Sequence, residues 1–372
     1  MKVSIGSKIV DGPWGGGNLF VKNLSEHLLG LGHQVIYDLS EKDIDLILLT
    51  DPRNRKESSS TFNHKDIFNY KNYVNPKVKV VQRINECDER KGTNFINKFY
   101  LEASSCADHI IFVSTWLRDI YIDLGMDVQK TSVILAGANS KIFNPVNSKH
   151  WDKKQKISLV THHWSNHINK GFFEYKLIDE LLEKQSWEKK LKFTYIGNLN
   201  KEYEFKNINV LPPLAGFELS EEIKNHHIYI TASINEPSGN HHIEAAQCGL
   251  PILYKQSGGI PEYCSNFGIA FDNDLEDKLN LIIENYDDLK TNMKKYSLNS
   301  EKMSNQFLNL FEDLVHDQTI VEGKIVIKDY FLGRYFILKS NILKIIRDKY
   351  YLNLKLKFTK IIKKVITWIK NS

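Results

Sequence analysis

Short apolar strands alternate with amphipathic helices along this chain, and the alternation runs through twice. The first run opens with a strand over Lys2–Val10, a glycine-rich loop over Gly12–Gly17 and a helix over Asn18–Leu31. The second opens with a strand over Ile157–His162, after a lysine-rich connector at Trp151–Lys156. Strands that alternate with helices form parallel sheets covered by helices. The sequence therefore predicts two α/β domains in tandem.

The length agrees with two domains, because 372 residues exceed the roughly 250–300 at which a single hydrophobic core stops growing. We expect an N-terminal domain over 1–152, a second domain over 153–316 and a tail over 317–372. Further strands are predicted at Gln34–Leu39, Asp45–Thr50, Val78–Arg83, His109–Ser114, Lys192–Gly197, His227–Ala232 and Pro251–Tyr254, with helices at Phe172–Lys184, Ser220–Lys224, His241–Cys248 and across about 274–316.

The composition is that of an ordinary folded protein, with 42% hydrophobic and 26% charged residues. The four cysteines lack metal-type spacing and the density of a disulfide scaffold, so free thiols and a reducing compartment are expected. The N-terminus reads as a strand rather than a signal peptide, and no apolar run approaches the roughly 20 residues of a membrane span. These features predict a cytosolic protein.

Charge is distributed unevenly between the tail and the rest of the chain. Residues 323–372 carry thirteen Lys or Arg against two Asp, a net charge of +11 that leaves −6 on the other residues, since the whole chain carries +5. Apolar and basic residues of the tail fall on opposite faces of a helix: Phe358, Ile361, Ile362, Val365, Ile366 and Ile369 against Lys360, Lys363, Lys364 and Lys370. This pattern predicts contact with an anionic bilayer; the alternative is an amphipathic helix packed on the protein itself.

The segment Asn235–Tyr263 carries the most chemical information. Glu236 and Glu244 stand with seven residues between them, and two turns follow, Cys248-Gly249-Leu250-Pro251 and Ser257-Gly258-Gly259-Ile260-Pro261-Glu262. Pro237 to Asn240 favour the start of a helix near residue 240. The free N–H groups of its first turn would bind a diphosphate or a sugar hydroxyl. Taken alone, two glutamates at this spacing are more often solvated than functional.

In this order, the motifs resemble the donor site of the family-four retaining glycosyltransferases of the GT-B fold, the glycosyl transferases group 1. Segments that agree with it elsewhere are Gly15-Gly16-Gly17, Val113 to Leu117, Ile134 to Asn139, Phe143 to Pro145 and Lys170 to Phe172, so the resemblance covers about residues 1–310. It implies two Rossmann-like doubly wound domains facing a central cleft, with a basic amphipathic C-terminal extension.

The resemblance also implies roles for individual residues. Glu236 would position the donor sugar or stabilise its charge, and Lys170 would bind the donor phosphates as the second catalytic residue. The donor-binding set is Glu244 at the ribose, with Ser238, Gly239, Asn240, His241, Gly258 and Gly259. Gly15, Gly16 and Gly17 are assigned to the acceptor or phosphate side. The polar segment Gln82–Lys91 directly follows a strand, and its residues Arg83, Asn85, Asp88 and Arg90 are also expected on the acceptor side, although a solvated loop with local salt bridges is an equal alternative.

One departure from the family pattern stands before Lys170. The family commonly has an arginine there that clamps the donor diphosphate together with the lysine, whereas this chain has no arginine between His162 and Lys170. His163 or His167 would substitute only if protonated. The three adjacent histidine pairs lack His-Glu-x-x-His spacing, so no metal site is expected.

The function implied is a metal-independent, retaining transferase of the hexosyltransferase type without a cofactor, which moves sugar from a nucleotide-sugar donor to a glycan or lipid-linked acceptor. Bacterial surface polysaccharide assembly, at the inner face of the plasma membrane, is the expected setting, and nucleic acid is not an expected partner. Two alternatives stay open: a nucleotide-sugar epimerase of the same fold, and a catalytically inactive GT-B domain recruited to a membrane as a partner.

Overall fold

Two parallel six-stranded sheets organise the computed structural model of the chain, which describes residues 1–10, 15–53, 59–317, 331–346 and 349. The first sheet has the order β2-β1-β3-β4-β5-β6 and the second β12-β11-β10-β7-β8-β9. The strands are β1 Lys2–Ile5, β2 Gln34–Ile36, β3 Leu46–Leu49, β4 Lys79–Ile84, β5 His109–Phe112, β6 Thr131–Val133, β7 Ile157–His163, β8 Leu191–Gly197, β9 Asn209–Leu211, β10 Ile228–Thr231, β11 Ile252–Lys255 and β12 Gly268–Phe271.

Helices cover both faces of each sheet. They are α1 Gly15–Gly30, α2 His64–Tyr73, α3 Asp88–Lys91, α4 Ile96–Ala103, α5 Thr115–Asp123, α6 Phe172–Leu181, α7 Gln185–Glu188, α8 Gly216–Lys224, α9 Asn240–Gln247, α10 Ile260–Cys264, α11 Leu275–Glu284, α12 Tyr286–Asn292 and α13 Ser300–His316. A further helix, α14, covers 331–346. The predicted pair of Rossmann-like domains is confirmed.

All strands predicted from the sequence are present, although most are shorter than predicted. Three strands were not predicted, β6 Thr131–Val133, β9 Asn209–Leu211 and β12 Gly268–Phe271, and each lies at a sheet edge. Their residues are mostly half-buried or exposed. An edge strand has one partner and one packed face, so its sequence carries a weaker apolar signal than a central strand.

The predicted domain boundaries need correction in two places. The chain enters the second domain earlier than expected, and it returns to the first domain within the segment that was assigned to the second. Ala136 and Phe143, placed in the N-terminal domain, pack into the core of the second domain with Val160 and Ile252. Conversely, α13, placed in the second domain, returns to the first, where Phe307 lies 5.1 Å from Phe20 between ring centroids. The amphipathic pattern of α13 shows that one face is buried but does not show against which domain.

The two segments that connect the domains lie side by side. The Ser300 N–H donates to the Ala138 carbonyl at 2.8 Å, and Ala138 pairs with Asn299 in an isolated parallel bridge. Gly137 makes this approach feasible, because a Cβ at that position would lie 2.1 Å from the Asn299 carbonyl oxygen. The outgoing and returning chains are thus joined by backbone contacts at one point.

The helix α14 packs on the N-terminal domain. Phe336 is buried in the same core as Tyr70, with the ring centroids 6.4 Å apart, and Gly333 fits against the carbonyl of Tyr73. This part of the predicted tail therefore packs on the protein itself. The predicted amphipathic pattern at residues 358–370 lies outside the described residues, and no helix in the described part of the chain is both long and apolar enough to span a bilayer.

We expect Phe307→Ala to lower the stability of the N-terminal domain by about 3–5 kcal/mol, because it opens a cavity between α13 and α1. Chemical denaturation followed by fluorescence measures the change. Phe173→Ala on α6 is the matched control, since Phe173 is 61% exposed whereas Phe307 is 0% exposed. Equal effects of the two substitutions would contradict the assignment of α13 to this core.

Candidate active site

The site lies at the carboxyl edge of the second sheet, where the strand order reverses. The first strand of this domain, β7, has β8 on one side and β10 on the other, so the loops after β7 and β10 diverge and leave a crevice. His162 and His163 end β7, Glu236 follows β10, and α9 begins at Asn240. Residues far apart in sequence meet here because parallel strands end at one edge.

A buried carboxylate joins cations from both domains. Glu236 Oε2 accepts from Lys170 Nζ, and Glu236 Oε1 accepts from Arg90 Nε at 3.1 Å. Arg90 also bonds through Nη1 to both oxygens of Glu86, at 2.8 and 3.0 Å. Burial alone would raise the pKa of Glu236, but Lys170 and Arg90 lower that pKa well below its usual range. Glu236 is therefore an ionised carboxylate at neutral pH.

Glu244, the second glutamate, is bound by His162, a contact that was not predicted from the sequence. Glu244 Oε2 bonds to His162 Nε2 at 2.9 Å, and the other ring nitrogen of His162 lies 3.1 Å from the Tyr229 hydroxyl. All three side chains are buried. Because Tyr229 and Glu244 hold both nitrogens of the His162 ring, the imidazole is fixed and in turn orients the Glu244 carboxylate through Oε2.

Three further histidines pack behind the site. The ring centroids of His163 and His241 are 4.6 Å apart, and those of His241 and His242 are 4.9 Å apart. Burial lowers the pKa of His242 to about 3 and holds the pKa of His163 and His241 well below the usual value. These rings are neutral at pH 7, so His163 does not supply the cation missing before Lys170.

His167 is no better as a replacement for the missing arginine. Burial, followed by the nearby charge of Arg90, lowers the pKa of its imidazole. Arg90 is the cation that shares Glu236 with Lys170. From the sequence it was expected on the acceptor side, with the rest of the polar segment Gln82–Lys91. Nothing local indicates this contact, because 146 residues separate Arg90 from Glu236.

The loop between Glu236 and α9 has the predicted form. Gly239 is the residue before α9, with φ of +77°, and a Cβ there would lie 3.0 Å from Glu236 Cγ and 2.7 Å from the His241 ring. With no side-chain cap on α9, the N–H groups of its first turn face the crevice as donors.

The glycines at 258 and 259 lie against the Glu236 loop, and the predicted phosphate contact of Gly258 stays a prediction. The Gly259 N–H donates to the Glu236 carbonyl at 2.9 Å, and the Ser257 N–H donates to the Lys255 carbonyl at 2.8 Å. A Cβ on Gly258 would lie 2.6 Å from the same Glu236 carbonyl oxygen. These contacts shape the Glu236 loop and leave the N–H groups of Ser257 and Gly259 already bonded within the protein, which argues against the predicted phosphate contact at Gly259.

The glycine-rich start of α1 faces the start of α9. A Cβ on Gly16 would lie 2.9 Å from Asn240 Oδ1, so the two helix N-termini meet across the interdomain crevice. Gly15 and Gly17, on either side, are exposed and open the first turn of α1. The first turns of α1 and α9 therefore lie next to each other, and N-terminal helix turns attract anions.

The remaining acceptor-side candidates have three different environments. Arg83 is buried with its guanidinium 4.0 Å from the centroid of the Phe20 ring, and burial lowers its pKa to about 10. Asn85 is half-buried after β4. The Asp88 carboxylate accepts from the N–H groups of Phe95 and others in the turn up to Asn97, at 2.9–3.0 Å. Asp88 therefore organises its own loop, and its predicted acceptor role stays a prediction without a supporting contact.

The two domains close over the site. Glu262 of the second domain accepts from the backbone N–H groups of Thr115 and Trp116 at 2.8 and 2.9 Å, which caps the N-terminus of α5 in the first domain. The hydroxyl of Tyr263 donates to the Val113 carbonyl. The sequence placed Glu262 in a turn. Its contact with α5 of the other domain could not be predicted from that turn.

Two cavities differ in their relation to this chemistry. A cavity of about 60 Å³ lies between the domains and is lined by Arg90, Lys91, Lys170 and Glu236 among others. A larger cavity of about 420 Å³ is lined by Lys192, Asn209 and His226, at the amino ends of the strands and away from the two glutamates.

In the described part of the chain, no three His, Cys, Asp or Glu side chains are arranged to hold a metal ion. All four cysteines are free, as predicted.

Comparison with known proteins shows which family the second domain resembles. Residues 175–300 match the model of the glycosyl transferases group 1, a segment that contains both Glu236 and Glu244. The second domain is therefore similar to the group 1 glycosyltransferases over most of its length. A curated relative, the phosphatidylinositol N-acetylglucosaminyltransferase gpi3 subunit of Schizosaccharomyces pombe, is 24% identical over 214 residues, which is 54% of this chain and 46% of the relative. The chain thus matches less than half the length of that relative.

Solved glycosyltransferase structures share the whole two-domain architecture, the GT-B fold. Sucrose-phosphate synthase from Thermosynechococcus elongatus superposes with a TM-score of 0.61 at 14% identity, over 84% of this chain and 98% of that one. HepE of Anabaena in complex with UDP gives 0.62 at 14% identity, over 84% and 99%. A glycosyltransferase from Rickettsia africae gives 0.61 at 13% identity, over 85% and 99%.

The neutral buried histidines lead us to expect a specific dependence of stability on pH. An imidazole with an unfolded pKa of about 6.5 that must stay neutral when folded contributes stability that is complete above about pH 6.5 and is lost as the pH falls. We expect His242→Gln to reduce the slope of unfolding free energy against pH, between pH 6.5 and 4.5, by up to about 1.4 kcal/mol per pH unit.

Denaturant titrations at a series of pH values measure this slope. His316→Gln is the control, because His316 lies exposed at the end of α13. It measures how the loss of an exposed imidazole changes the same slope. An unchanged slope for His242→Gln would mean that His242 takes up its proton in the folded protein as readily as in the unfolded chain.

Proposed function

We propose that this group 1 glycosyltransferase transfers a sugar from a nucleotide-sugar donor to a glycan or lipid-linked acceptor, with retention and without a metal. The observation that carries the proposal is the arrangement at the crevice: an ionised Glu236 bonded to Lys170, a fixed Glu244, and the uncapped N-terminus of α9 between them. Cations and helix N-termini suit a diphosphate, and two carboxylates suit sugar hydroxyls.

The proposed mechanism is mainly electrostatic. Negative charge grows on the diphosphate as the bond between sugar and phosphate breaks, and Lys170 together with the first turn of α9 stabilises that charge. Preorganised donors of this kind often provide the largest single contribution to catalysis. In the proposed orientation Glu244 accepts hydrogen bonds from the ribose, because only its Oε2 is engaged by a described residue, His162.

The state of Glu236 restricts its part in the reaction. While Lys170 and Arg90 bind its oxygens, the pKa of Glu236 lies well below its usual range, so Glu236 enters the donor complex as an ionised carboxylate with no proton to give. Glu236 is therefore proposed to position the sugar and to stabilise the positive charge that develops on it.

Donor entry requires the domains to separate. Binding sites for ligands of this size occupy roughly 300–1,000 Å³, whereas the cavity beside Glu236 holds about 60 Å³. The contacts of Glu262 with α5 and of Arg90 with Glu236 have to break and form again in each cycle. Closure then excludes water, which would otherwise hydrolyse the donor.

We expect nucleotide sugars and nucleoside diphosphates to raise the melting temperature of the protein through mass action. Glu244→Gln should lose most of the shift given by the best ligand, because it loses ribose contacts. A thermal-shift panel over different bases and sugars measures this and identifies the base. Glu183→Gln, at an exposed glutamate just beyond α6, should keep the full shift.

Product assays with the best donor separate the remaining alternatives. Transfer to an added acceptor, with the anomeric configuration kept, supports the proposal. Turnover of the donor to a different nucleotide sugar without acceptor would indicate the epimerase. A donor that binds and is never consumed, or the absence of any thermal shift, would favour the inactive membrane-recruited partner.

The outward face of α14 supports a membrane-bound acceptor. Tyr335, Leu338, Ile342 and Ile345 are between 49% and 65% exposed, and the helical repeat places them on one face, opposite the buried Phe336. Lys339 is exposed beside them, within a tail of net charge +11. We propose that this face rests on an anionic bilayer at the inner face of the plasma membrane, where a lipid-linked acceptor for surface polysaccharide would lie.

We expect the triple variant Leu338→Ser, Ile342→Ser, Ile345→Ser to bind anionic vesicles at least about tenfold more weakly, since each exposed side chain loses roughly 1 kcal/mol or more of apolar transfer energy. Co-sedimentation with vesicles containing phosphatidylglycerol measures the binding. Substitutions on the exposed face of α14 test membrane binding alone, whereas deletion of residues 323–372 would also remove Phe336 from the core. Equal binding by wild type and variant, or equal binding to neutral vesicles, would overturn the membrane proposal.

A further inference from the structure

Two cations from different domains share one carboxylate at the donor site. Lys170 belongs to the second domain and bonds to Glu236 Oε2, whereas Arg90 belongs to the first domain and bonds to Glu236 Oε1 at 3.1 Å. The two cationic groups are thus separated by the width of a single carboxylate. A phosphate or diphosphate has oxygens at comparable spacing, with more negative charge to offer both cations.

The position of Arg90 is fixed from the donor side. Its carbonyl accepts from Asn169 Nδ2 at 3.1 Å, and the carbonyl of Glu89 accepts from Asn235 Nδ2 at 3.1 Å. Both asparagines directly precede a site residue, Lys170 or Glu236. The short helix α3 is therefore seated on the two loops that carry the donor-site charges, rather than on a distant surface.

The surroundings of Arg90 favour an anion. The cavity of about 60 Å³ between the domains is lined by Arg90, Lys91, Lys170 and a single carboxylate, Glu236. Glu86, the other acidic partner, holds Arg90 Nη1 and Lys91 Nζ from the protein side, at 2.8 and 3.1 Å. A guanidinium fixed in this way presents its remaining N–H groups in a planar fork, which matches phosphate oxygens.

We propose that Arg90 is a second phosphate-binding residue of the donor site and acts as the partner of Lys170 in place of an arginine from its own domain. This inference rests on the proposed function. In the structure Glu236 binds both cations. When a nucleotide sugar binds, its phosphate oxygens replace the Glu236 carboxylate on Arg90 and Lys170, which frees Glu236 to meet the sugar. Because Arg90 comes from the other domain, phosphate binding also draws the domains together.

The test compares the wild type with Arg90→Gln and Arg90→Lys by isothermal titration calorimetry, using the nucleoside diphosphate that the wild type binds best and the corresponding nucleoside in competition. We expect Arg90→Gln to weaken diphosphate binding about 10- to 100-fold, the usual effect of losing a charge-assisted hydrogen bond to phosphate. Nucleoside binding should be unchanged, and Arg90→Lys should recover part of the diphosphate affinity. Arg118→Gln, on the exposed pair with Asp119, is the matched control.

A separate variant tests the exchange of partners. Glu236→Gln removes the carboxylate that competes with phosphate for both cations, so it should bind the free diphosphate at least as tightly as the wild type. Weaker binding by this variant would contradict the exchange.

The outcomes distinguish this proposal from the function on which it rests. If no nucleoside diphosphate binds the wild type, both are overturned. If the wild type binds a diphosphate and Arg90→Gln binds it equally well, only the role of Arg90 is overturned. If Arg90→Gln loses affinity for diphosphate and nucleoside alike, Arg90 is a structural contact between the domains and the phosphate role is overturned as well.

Discussion

The ion pairs of Glu236 hold the candidate active site and the two domains in one arrangement. A buried carboxylate is costly unless it is paired, and here the two cations come from opposite sides of the crevice. Removing either cation would leave a carboxylate that is only 6% exposed with one cationic partner instead of two. The closed position of the domains and the ionised state of Glu236 therefore depend on each other, and a ligand that competes for the cations has to supply at least as much negative charge.

The layout of the fold could be predicted from the sequence because its signals are local. Strand and helix alternation gave both sheets, and Pro237 to Asn240 gave the start of α9 to within one residue. The boundaries between domains were predicted less well, since an amphipathic helix such as α13 carries the same pattern whichever domain buries it. The contact of Phe307 with Phe20 joins residues at opposite ends of the chain, and no pattern within either helix specifies the other.

The site was predictable to the extent that its chemistry resides in one segment. Glu236, Glu244 and Lys170 were identified from the resemblance, and the structure brings Lys170 and Glu236 into direct contact. The partners that set their charge and orientation, Arg90 and His162, lie 146 and 82 residues away from the glutamates they bind. At Gly259 the turn was predicted correctly, but the acceptor of its N–H group, the Glu236 carbonyl, was not. A turn sequence defines where an N–H group lies along the chain but not which acceptor meets it.

The two interdomain connections have a mechanical consequence. Because the chain crosses once near Ala138 and returns at Asn299, and because these crossings are bonded to each other, the domains are joined at a double-stranded hinge rather than by two separate tethers. Rotation about the touching point leaves both strands intact, whereas sliding or twisting one domain past the other would break the bond between them. The opening proposed for donor entry would then be a swing about this point, and closure would return the N-terminal loop that carries Arg90 to the same place beside Glu236.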